Sequence, residues 1–178
     1  MNRTGSIALC GIVSALCIVC MFLTGLIPFA TYALPALAGV LLIAVVMEKG
    51  KRWAALVYVV VSLLSLILAP DLEAKLMFVC FFGYYPILKA LFEGMHRPRF
   101  AFCLKLAVFN AAVIAVYFIL SALGGLSPDE FEIFGKSLPL IFLIAGNLIF
   151  LLYDYALTCL AATYARRLQP KLHRLFHI

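Results

Sequence analysis

From Ile7 to Ile27 the chain runs without one charged residue: "IALCGIVSALCIVCMFLTGLI". A helix needs roughly 20 apolar residues to cross a bilayer, and this stretch has that length. Breaks at Pro, Gly and charge divide the rest into further apolar stretches of similar size. The reading gives six helices, over about 5–27, 33–48, 53–69, 72–93, 100–123 and 138–165. Composition agrees: of 178 residues, 66% are hydrophobic and only 12% charged. Soluble domains carry about twice that charged fraction. The expected fold is all-α, a polytopic membrane protein forming one domain over residues 1–178. The first stretch is kept as a membrane helix, since its apolar core is too long and its basic flank too weak for a signal peptide.

The net charge of +6 follows the connections between helices. Arg3, Lys49, Lys51, Arg52, Lys89, Arg97, Arg99, Lys105, Arg166, Arg167, Lys171 and Arg174 fall on one side, twelve of the fourteen basic residues. Lys75 and Lys136 fall on the other, beside Asp71, Glu73, Asp129, Glu130 and Glu132. Basic loops favour the cytoplasm, so both termini are expected inside. The basic residues report topology, and no nucleic-acid partner is expected. The six cysteines (Cys10, Cys17, Cys20, Cys80, Cys103, Cys159) lie within the helices and read as small packing residues.

Three patterns stand out inside the spans. On the first helix, Ala8, Gly11 and Ala15 share a face, which lets another helix backbone approach closely. Either a partner membrane protein docks there, or the face packs within the bundle. In the fourth, "FFGYYPILK" (81–89) places Pro86 where it removes a backbone donor from the carbonyl of Phe82, predicting a bend with Gly83 closely packed. Tyr84 and Tyr85 point to different faces.

Deep in the sixth helix, Asp154 is expensive in lipid, at about 2.5–3.5 kcal/mol, and requires a partner. Lys89 or Lys105 is expected to form a structural ion pair with it; a proton relay is the sharper alternative. Asn110 and Asn147 each lie about ten residues into their helices from opposite ends, hence at similar depth. Either they bond each other, or both line the floor of a polar cavity to which Tyr117, Tyr32 and Thr24 contribute from further out. In the segment 124–136, "SPDE" gives Ser127 the chemistry of a helix N-cap, predicting a short surface helix.

No metalloprotease, nucleophile-elbow or phosphate-loop motif is present, so no enzymatic activity and no cofactor are expected. The histidines His96, His173 and His177 fall in loop or tail positions. Active transport by such a chain needs ATPases on other chains.

With six helices, small residues on the first, "ALPALAGVLL" opening the second, "VSLLSLILAPDLEAKLMFVCFFGYYPILKALFE" across the third and fourth and "KLAVFN" on the fifth, the chain resembles the substrate-binding S component of energy-coupling factor (ECF) transporters. It is similar to S-component-like membrane proteins of Gram-positive bacteria. The resemblance implies a multi-pass protein of the bacterial cell membrane. Such a protein binds a vitamin or similar micronutrient from outside, docks on a transmembrane T component with two ATP-binding subunits, and tips over to release its substrate.

It further implies ligand contacts from Tyr32, Lys75, Asn110, Tyr117 and Asn147, and docking through Ala8, Gly11 and Ala15. Family members usually carry alanine at both ends of the docking motif; here Gly11 takes the first place. Nickel and cobalt members carry a histidine near the amino terminus, whereas this chain begins Met1-Asn2-Arg3, so a metal substrate is not expected. The sole tryptophan, Trp53, sits at the inner end of the third helix, leaving tyrosine and phenylalanine to stack on any ring. The competing expectation is a non-transporting scaffold, similar to the rod-shape-determining membrane proteins. A membrane-embedded enzyme is the third.

Overall fold

The computed structural model describes residues 3–95, 97–123, 132–133, 136–137 and 139–168. Its long elements are helical: α1 (Arg3–Leu23), α2 (Ala33–Lys49), α3 (Lys51–Leu68), α4 (Leu72–Met77), α5 (Tyr85–Phe92), α6 (Pro98–Ala122) and α7 (Pro139–Thr163). A π-helical segment, Phe78–Phe82, joins α4 to α5, so that Leu72–Phe92 forms a single span. Among the described residues, five spans are long and apolar enough to cross a membrane: α1, α3, the α4–α5 unit, α6 and the one built on α7. The remaining long helix, α2, has 17 residues, or about 26 Å at ~1.5 Å per residue, a little under the ~30 Å hydrocarbon thickness.

The helices lie close to the expected stretches, with two differences. The first ends at Leu23, where the sequence reading runs on to 27. Thr24 turns its hydroxyl back onto the carbonyl of Met21 at 2.7 Å, and Gly25 and Pro28 follow. The fourth does more than bend. Pro86 has no N–H to offer the carbonyl of Phe82, and Gly83 donates instead to Phe78 across the wider π turn, at 2.8 Å. The displaced carbonyl of Val79 accepts a bond from the Tyr58 hydroxyl of α3, also at 2.8 Å. The helix then restarts at Tyr85, with proline in its first turn, where no donor is needed.

The Ser127 helix expected within 124–136 falls largely outside the described residues. Within that segment and just beyond it, Glu132 and Ile133 pair with Ser137 and Lys136 as a two-residue antiparallel ribbon.

α2 runs through the middle, packed against α1, α3, the α4–α5 unit and α7. Gly39 permits this: a Cβ there would collide with the Phe82 carbonyl and the Tyr153 hydroxyl. Gly83 is also closely packed, with the Tyr58 ring where its side chain would be. The core centres on Phe78, Phe81, Phe82 and Tyr85, which meet Phe109 of α6 and Phe150 of α7. Phe109 and Phe150 stack at 4.8 Å with their planes 12° apart. Aromatic pairs of this kind add about 0.5–1.5 kcal/mol each beyond their burial.

Candidate functional site

Two polar layers cross the interface between α6 and α7, with the aromatic core between them. The first is the asparagine pair. Asn110 and Asn147 exchange bonds, each side-chain amide donating to the other's oxygen at 3.0 Å. Each also donates to a carbonyl one turn back, of Leu106 or Leu143, at 2.8 Å. A side-chain amide has two N–H donors, so all four are used. Of the two expectations for these residues, the geometry is that of the mutual pair.

The second layer is built on Asp154, where α5, α6 and α7 meet. Both lysines reach it: Lys89 at 2.5 Å and Lys105 at 3.0 Å. Tyr85 donates its hydroxyl to the same carboxylate at 2.7 Å. Lys89 also donates to the Asp154 backbone carbonyl and to the Thr158 hydroxyl, at 3.0 and 2.8 Å, and pairs with Glu93 at 2.9 Å. Two cations face two anions, so the cluster is neutral. Side-chain exposure is 5% for Lys89, 11% for Lys105 and 18% for Asp154. In so dry a setting, removing one partner costs more than the intact pair contributes, because it strands a buried charge.

The sequence reading set Tyr84 and Tyr85 on different faces without joining Tyr85 to Asp154, and it passed over Glu93, although the signal was present. Tyr85, Lys89 and Glu93 are spaced i, i+4, i+8 and therefore share one face of α5. Asp154 and Thr158 share a face of α7 in the same way.

The remaining ligand-binding expectations lie elsewhere. Tyr32, 53% exposed, donates its hydroxyl to Glu73 and so ties the start of α2 to the start of α4. Asp71 caps α4 by accepting from the amides of Glu73 and Ala74 at 3.0 and 3.2 Å. Lys75 turns onto the carbonyl of Ala69 at 3.4 Å. Tyr117 is 46% exposed, its ring edge-on to Phe118. Among the described residues, no hydrogen bond joins Tyr32 or Lys75 to the asparagine pair. Thr24 is buried and bonded locally.

On α1, Ser6, Cys10, Val13, Cys17 and Met21 form the buried face, while Ala8, Gly11 and Ala15 lie exposed on the opposite side. A Cβ added at Gly11 would meet nothing within 4 Å. Among the described residues, nothing packs on the small-residue face at Gly11. The cysteines divide: Cys10 and Cys17 are buried, whereas Cys103 and Cys159 are exposed, a departure from a uniform packing role.

No known protein family, characterised protein or solved structure matches the chain.

Proposed function

We infer that the chain is a substrate-binding membrane subunit of an ECF-type importer for a vitamin or similar micronutrient. It crosses a bacterial cell membrane six times with both termini in the cytoplasm, α2 being the sixth span. Its exposed α1 face, Ala8, Gly11 and Ala15, docks on a transmembrane T component carrying ATP-binding subunits. The observation that carries this reading is that face: small, apolar, outward-turned and unused by the chain's own packing. In lipid, where apolar side chains gain nothing by leaving the solvent, close backbone approach is a main source of helix association. Substrate enters from the acidic end, near Tyr32, Lys75 and Tyr117. A ligand that reaches the asparagine pair must exchange their mutual bonds for its own.

One observation favours a second reading, a non-transporting scaffold similar to the rod-shape-determining membrane proteins. The asparagine amides already satisfy one another, as they would in a protein with nothing to bind. Mass spectrometry of small molecules extracted from the purified protein separates the two. Uptake requires a defined metabolite retained in stoichiometric amount. Its absence, from protein purified both alone and with its partners, favours the scaffold.

A further inference from the structure

At the basic end of the bundle, a cavity of about 290 Å³ opens where the α4–α5 unit meets the start of α6. Its walls are apolar: Phe92, Met95, Pro98 and Phe102. Among the described residues, two charged side chains enter the lining, Glu93 and Lys105.

Each retains unused bonding capacity. Lys105 is 9% exposed, and its bonds go to the two oxygens of Asp154, at 3.1 and 3.0 Å. Glu93, at 3.6 Å, is beyond hydrogen-bonding distance from it. An ammonium carries three donors, so one N–H of Lys105 is left for an acceptor in the cavity. On Glu93, each lysine comes to Oε1, and no hydrogen bond reaches Oε2 among the described residues, which leaves it for a donor. Arg97 and Arg99, on either side of Pro98 in the chain, are exposed.

We propose that this cavity holds the headgroup of a phospholipid with a primary ammonium, phosphatidylethanolamine. The ammonium donates to Glu93 Oε2. The phosphate accepts from Lys105 and from Arg97 or Arg99, and the glycerol and upper acyl chain lie along Phe92, Met95 and Phe102. Interhelical basic pockets at the membrane surface are known lipid-headgroup sites, and Glu93 sets the selectivity. A choline headgroup has no N–H to give Glu93, and an anionic glycerol headgroup brings an unbalanced negative charge to a neutral cluster. The cavity lies just below the roughly 300 Å³ lower end for ligand pockets, which suits a headgroup. The inference rests on the membrane-spanning reading and is independent of uptake.

The test is native mass spectrometry of the full chain, delipidated in detergent and titrated with phosphatidylethanolamine, phosphatidylcholine or phosphatidylglycerol of identical acyl chains. One phosphatidylethanolamine should be retained about tenfold more strongly than phosphatidylcholine, the factor a charge-assisted bond supplies. Glu93→Gln should abolish that preference while leaving phosphatidylglycerol binding undiminished, since it removes a negative charge from beside the phosphate. Met95→Trp, at a partly exposed wall position, should displace all three lipids without touching the ion cluster. Equal retention of the ethanolamine and choline lipids overturns the proposal, since it describes bulk lipid contact only. A phosphatidylglycerol preference indifferent to Glu93→Gln also overturns it, in favour of a generic basic patch. A chain that fails to fractionate with membranes defeats the spanning reading instead.

Discussion

The first three helices and the last one are held in opposite ways. α1, α2 and α3 pack through small and branched apolar side chains, with Cys17, Ala38, Leu42, Ala54 and Val61 fully buried. Polar contacts are few there: Cys17 donates to the Ala38 carbonyl and Tyr58 to that of Val79, while the Ser62 and Ser65 hydroxyls are buried without a partner among the described residues. In the span built on α7, 11% of the residues are buried, against 28% in α1 and in α3. Polar contacts hold it at successive turns: Asn147 on Asn110, Tyr153 on the Ala36 carbonyl, Asp154 on two lysines, and Tyr164 on Glu48. Hydrocarbon outside the bundle is as apolar as leucine within it, so a span that buries little gains little from packing and depends on its bonds. Packed contacts fix the first region in place. The bonds of α7 can be exchanged for those of a ligand or a partner, which makes it the element best suited to respond to one.

Four tests probe this contrast. Asp154→Ala has the largest expected effect, about 3–5 kcal/mol, because it leaves two buried lysines with only the half-exposed Glu93 carboxylate between them. Thermal unfolding in detergent should show a large fall in Tm, with Asp154→Asn intermediate. An unchanged Tm would mean that α7 is not held by its ion cluster. Gly39→Val follows at about 1–3 kcal/mol, since a branched side chain must push α2 away from Phe82 and Tyr153. The same melts should show this loss, and a neutral result would show that the packed region yields easily. Third is the coupling between Asn110 and Asn147, measured by a double-mutant cycle with alanine and expected near 0.6 kcal/mol, the average for membrane hydrogen bonds. Zero coupling would remove one of the rungs. Last, Gly11→Leu should change stability by under about 0.5 kcal/mol, because the new side chain meets only open space.

The sequence made the helices legible because long apolar runs leave a chain few alternatives in a bilayer. It also pointed Asp154 toward Lys89 and Lys105, because a deep acid needs a cation and those two lie at its depth. Whether Lys89 or Lys105 would be chosen was not legible, and the structure uses both. The π segment was hidden because Pro86 only removes a bond. How the chain accommodates the loss depends on Tyr58, a whole helix away in sequence. The outward turn of Ala8, Gly11 and Ala15 was hidden for a related reason: a helix with apolar residues all round carries little pattern to say which side its neighbours take. For Tyr32, Lys75 and Tyr117, residue type alone could not decide between a ligand contact and a local bond.

The central claim is that the exposed face of α1 exists for a partner that drives transport. Affinity capture from native membranes, with the wild type and a Gly11→Leu, Ala15→Leu variant side by side, tests it most directly. The account predicts that the wild type brings down a T-type membrane protein with its ATP-binding subunits, and that the folded variant loses them. Recovery of cell-wall synthesis proteins instead, or the same partners with both chains, would contradict it.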